Sequence, residues 1–211
     1  MAFDEDPHGS QPVLHAGAPL GTARLAVIMM HGRGASADDM IGLAGALRLT
    51  DVAFLAPQAA GNTWYPYPFM TPMAQNEPGL SSALAKIDTL LAAAGEEGLT
   101  PDRVALAGFS QGACLALEFA ARHARRYAAI VGLSGGLIGP PGTPRAYPGD
   151  FAATPVFLGC SDIDPHIPLA RVQESAGVFR RMGARVDERI YPRMGHTVNP
   201  EEISAVRALL I

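Results

Sequence analysis

The residues best suited to covalent chemistry lie in Gly108-Phe109-Ser110-Gln111-Gly112, between an apolar run, Val104 to Ala107, and a stretch with helical spacing from Gln111 to about His123. This is G-x-S-x-G at a strand-to-helix turn. Such a turn doubles the backbone back so tightly that the positions two before and two after the serine must be very small, as Gly108 and Gly112 are. It lifts the Ser110 hydroxyl above the sheet and aims the first N–H groups of the helix, with their partial positive charge, at whatever bonds to that hydroxyl.

A serine hydroxyl is a weak nucleophile near neutral pH and needs a base within hydrogen-bond reach. Of six histidines, His8 and His15 are near the N-terminus, His31 begins a turn, His123 ends a helix and His166 adjoins an acidic loop. His196 follows the last predicted strand, after Gly195 and ahead of a helix that Asn199 caps, so it is expected to act as general base and then acid. A carboxylate should orient it, and both Asp162 and Asp164 follow the strand ending at Gly159. Asp164 is preferred because the prolines of Asp164-Pro-His-Ile-Pro168 would lock its direction, with Asp162 as the alternative. His31-Gly32-Arg33-Gly34 follows the first predicted strand of the sheet. There the Arg33 N–H is expected to join the Gln111 N–H in an oxyanion hole.

These residues need a scaffold of alternating strands and helices. Apolar runs place strands at 25–30, 52–56, 104–107, 128–133, 155–159 and 185–191. Helices are expected after Ser36 (Met40, Leu43, Ala44, Leu47), over the stripe Leu80, Leu84, Ile87, Leu91 and Ala94 up to Gly95, after Ser110, over 169–182, and after Asn199 with Pro200 at its first position. The pattern specifies a mainly parallel sheet with helices on both faces and its site at the carboxyl ends of the strands. Residues 1–23 are expected to form an N-terminal arm, frayed at its start and including a possible edge strand. Residues 24–211 are then a single domain. Two long loops, 58–79 and 135–153, interrupt the pattern. The first holds the only Trp and is read as a packed wall of the pocket.

The chain of 211 residues carries a net charge of −4, and no basic stripe interleaved with aromatics marks a nucleic-acid partner. Its longest relevant apolar run, Leu25 to Met30, is too short to cross a bilayer, so no stable membrane insertion is expected. The acidic N-terminus reads as no secretory signal, and Cys114 and Cys160 have no metal-ligand spacing, which together fit a reduced cytoplasmic protein. Fifteen arginines stand against a single lysine, a compositional bias. Aromatic and methionine residues in 64–73 leave a homodimer possible.

Met30-His31-Gly32-Arg33-Gly34, Gly108 to Gly112, Asp164 to Pro168 and Gly195-His196, in that order, resemble the phospholipase/carboxylesterase family of α/β-hydrolases over residues 24–210. The resemblance implies the α/β-hydrolase fold without a large cap domain. It further implies a triad of Ser110, Asp164 and His196, an oxyanion hole from the amides of Arg33 and Gln111, and no metal or cofactor. Trp64 and Tyr65 match the segment that borders the acyl pocket in relatives and are candidates for substrate contact, with plain packing as the alternative. The chain departs from the family in reading Gly159-Cys160-Ser161 where thioesterase members carry histidine and glycine, and in having Arg33 where leucine is usual. The implied activity is hydrolysis of short-chain carboxylic esters, with thioester or lysophospholipid hydrolysis as the alternative. A reading of another class is a non-catalytic small-molecule receptor.

Overall fold

A computed structural model describes residues 5–211. Seven strands, β1 (Val13–Gly17), β2 (Leu25–Met30), β3 (Val52–Pro57), β4 (Val104–Phe109), β5 (Ala129–Leu133), β6 (Pro155–Ser161) and β7 (Arg185–Tyr191), form one sheet in the order β1-β3-β2-β4-β5-β6-β7. All neighbours are parallel except β1, which runs antiparallel along β3 at the edge. Five helices, α1 (Ala37–Leu47), α2 (Gly79–Glu96), α3 (Gln111–Arg122), α4 (Leu169–Arg181) and α5 (Pro200–Leu210), cover it.

The period-2 alternation of a strand explains why β2 is apolar at every position. Ala26, Ile28 and Met30 face the cluster built by α2, α3 and α4, while Leu25, Val27 and Met29 face the one built by α1 and α5. No helix among the described residues is long and apolar enough to cross a membrane. This is the α/β-hydrolase fold, with no separate large cap.

Two expectations need correction. The start of the arm is not frayed where it is described: His8 is buried, and the Lys86 ammonium donates to the carbonyls of Gly9 and Gln11 at 2.9 and 2.7 Å. The part of that expectation on residues 1–4 lies outside the described residues. Helix α2 continues past Gly95 through Glu96, because the left-handed turn that ends it is made by Gly98 (φ +82°). Of the aromatic residues in 64–73, Trp64, Tyr65 and Phe69 are buried and only Tyr67 is exposed.

Candidate active site

Ser110 occupies the single residue between β4 and α3 with φ 54° and ψ −118°, a conformation costing a non-glycine residue on the order of 1–3 kcal/mol. The strain is held in place from both sides. The Ser110 N–H donates to the Leu133 carbonyl at 2.9 Å, and the Ser110 carbonyl accepts from the Cys114 N–H at 3.0 Å. A Cβ on Gly108 would strike the backbone of Gly112, and one on Gly112 would strike the carbonyls of Met30 and His31.

His196 Nε2 lies 2.8 Å from Ser110 Oγ, and its Nδ1 lies 2.7 Å from Asp164 Oδ2. The other Asp164 oxygen accepts the N–H groups of His166 and Ile167 at 2.8 and 3.0 Å. Burial pushes the Asp164 carboxyl up, but the His196 hydrogen bond and those two amides outweigh it and hold the group below the usual carboxylate range. The Cys160 thiol approaches Asp164 Oδ2 at 3.8 Å, and burial beside Asp164 pushes that thiol up to about 12, so it stays protonated.

Asp162 points elsewhere. Its Oδ1 accepts the Arg193 N–H at 2.7 Å, which fastens the turn leading to His196, while Ser161 Oγ accepts the Gly195 N–H at 3.2 Å. The backbone N–H groups of Arg33 and Gln111 donate to no other described residue, and both residues line the cavity in front of Ser110. Unspent donors beside a nucleophile suit a developing oxyanion.

The cavity measures about 310 Å³ and is lined by Arg33, Tyr65, Pro68, Phe69, Gln111 and His166 in addition to Ser110 and His196. Tyr65 therefore reaches it, whereas the expectation that Trp64 contacts substrate is corrected. Trp64 is wholly buried behind the wall, its indole N–H donating to the His31 carbonyl at 2.8 Å and its rings packed against His8 and His31.

Side chains from distant segments hold this wall, a role that the sequence reading assigns to none of them. His31 Nε2 accepts the Ala59 N–H and His8 Nδ1 accepts the Ala60 N–H, both at 3.1 Å, while His8 Nε2 donates to the Trp64 carbonyl at 2.9 Å. The Gln111 amide accepts from Trp64 N and donates to the Tyr65 carbonyl at 2.9 and 2.8 Å. Arg33 donates to the carbonyls of Tyr65, Pro66 and Tyr67, each at 2.8 Å. The second long loop is pinned too: buried Glu118 accepts the Ile138 N–H and the Tyr147 hydroxyl, both at 3.1 Å. No local periodicity marks such contacts, which join segments far apart in the chain.

A family model described as phospholipase/carboxylesterase matches residues 17–210. Acyl-protein thioesterase 1 of Gibberella zeae is 33% identical over 117 residues, covering 54% of this chain and 50% of that protein. The chain spans about half the length of the curated relatives it matches. Among solved structures, a phospholipase/carboxylesterase from Dyadobacter fermentans is 44% identical with a TM-score of 0.92, covering 96% of this chain and 97% of that one. Esterase PE8 is 27% identical with a TM-score of 0.77, covering 95% and 97%.

Proposed function

The chain belongs to the phospholipase/carboxylesterase family, and from that premise we propose that it is a serine esterase hydrolysing short-chain carboxylic esters through an acyl-enzyme on Ser110. The observation that carries this reading is the unbroken hydrogen-bond chain from Ser110 Oγ through His196 to Asp164 at the mouth of a cavity. His196 Nε2 takes the hydroxyl proton as Oγ attacks the ester carbonyl, and Asp164 stabilises the resulting imidazolium through Nδ1–H. The oxyanion faces the N–H groups of Arg33 and Gln111. Collapse expels the alcohol, which receives the proton from His196. A water deprotonated by His196 then attacks the acyl carbonyl, and the acid leaves.

The cavity's modest volume and the charged Arg33 in its lining favour short acyl groups. A second reading, thioester hydrolysis with the same residues, is favoured by relatives named acyl-protein thioesterase. Rates across p-nitrophenyl esters from acetate to palmitate separate them. The short-chain reading expects kcat/KM to peak at the short acyl groups, and a rise toward palmitate moves the assignment to the thioesterase or lysophospholipase branch.

A further inference from the structure

The lining of the cavity is basic in a chain whose net charge is negative. Arg33 and His166 stand in it beside His196, and no aspartate or glutamate lines it. All three acceptors of the Arg33 guanidinium are neutral backbone carbonyls, and no carboxylate among the described residues pairs with it. Those bonds engage Nη1 once and Nη2 twice, which leaves Nε and one hydrogen on Nη1 for a ligand. They also fix the guanidinium before any ligand arrives, so little rotamer freedom remains to be lost on binding.

His166 is exposed, with its ring edge-on to His196 at 4.8 Å. Its backbone N–H is spent on Asp164, while neither ring nitrogen bonds another described residue. Arg33 follows β2 and His166 follows β6, and the strand order sets β4, which leads into Ser110, between them. The two basic groups thus reach the nucleophile from opposite sides, and Tyr65, Pro68 and Phe69 supply the apolar remainder of the wall.

We propose that the substrate is a small ester bearing a second, free carboxylate, which Arg33 and His166 bind while Ser110 attacks the ester carbonyl. The proposal rests on the serine-esterase reading and narrows its substrate class. The carboxylate can belong to the acyl part, as in a half-ester of a dicarboxylic acid, or to the alcohol part, as in an acylated hydroxy acid. The products are then the free acid and alcohol, with one water consumed.

Two matched pairs of esters test this by pH-stat. Monomethyl succinate is compared with methyl succinamate for the acyl side, and O-acetylglycolate with O-acetylglycolamide for the alcohol side. Each pair differs only in carboxylate against carboxamide. At least one pair is expected to favour the acid about tenfold or more in kcat/KM, as a charge-assisted contact does. That preference should shrink to about twofold or threefold in His166→Gln, and it should fall in about 0.5 M salt. Because each preference is a ratio within one protein, general damage by the substitution cancels. Equal or better turnover of the amide in both pairs overturns the proposal, as does a preference that neither the substitution nor salt reduces. If p-nitrophenyl acetate is cleaved but none of the four esters is, the carboxylate proposal fails and the esterase reading stands. If p-nitrophenyl acetate is not cleaved either, the esterase reading fails and takes the proposal with it.

Discussion

Two aspartates two residues apart do different work. Asp164 accepts from His196 and two amides, whereas Asp162 accepts the Arg193 N–H and only braces the turn that carries His196. Asp164→Asn is expected to lower kcat on the order of 10⁴-fold, since the amide favours the wrong imidazole tautomer. Asp162→Asn keeps an oxygen for Arg193 and should cost no more than about tenfold. Steady-state kinetics on both variants checks the pair, and the reverse order would exchange their roles. Glu202 is a second carboxylate with a pH signature. It caps α5 by accepting the Asn199 N–H, its other oxygen has no described partner, and burial pushes it up to about 7. A carboxyl raised in the folded state contributes stability that is fully present below its unfolded value, about 4.5, and is lost as pH rises through about 7. Glu202→Gln cannot ionise, so its Tm relative to the parent should rise by roughly 5 °C between about pH 5 and about pH 8. A difference that stays flat across that range would contradict the burial argument.

At the scale of elements, the wall from Ala59 to Phe69 has no regular ladder through its cavity-facing part and depends on side chains from elsewhere. Burial lowers both His8 and His31, and each accepts a backbone N–H through a nitrogen that protonation would occupy. Asp6 favours the charged form of His8 and Lys86 opposes it, while Asp39 favours that of His31. A histidine depressed in the folded state binds fewer protons there than in the unfolded chain. Its stabilising contribution is present above about pH 6.5 and is lost as pH falls from there through the folded value. His8→Asn places an oxygen near the position of Nδ1 and does not titrate. Thermal unfolding between about pH 8 and about pH 5 should show a shallower acid loss in this variant than in the parent, and equal slopes would remove His8 as a contributor.

Over the whole molecule, what could be read from the sequence follows from how local each cause is. Strands β2 to β6 were legible because strands buried on both faces are continuously apolar, and α5 because Asn199, Pro200 and Glu202 sit at its start. The segments that bring Ser110, Asp164 and His196 together each carry a local mark: small residues around the serine, prolines after the aspartate, a glycine and a capped helix about the histidine. Trp64 misled because an aromatic in a long loop reads alike whether it faces a cavity or packs between His8 and His31. The burial of His8 against a loop more than fifty residues away leaves no periodic trace. The proposed mechanism depends on Ser110 as nucleophile. A serine-directed phosphonate, located afterwards by peptide mass, gives the most direct test when paired with turnover of p-nitrophenyl acetate by the parent and by Ser110→Ala. The expected result is stoichiometric label on the peptide containing Ser110, loss of activity in step with labelling, and a drop of roughly 10⁶-fold in the folded variant. Label on another residue, or a tenth of the activity retained by Ser110→Ala, would contradict it.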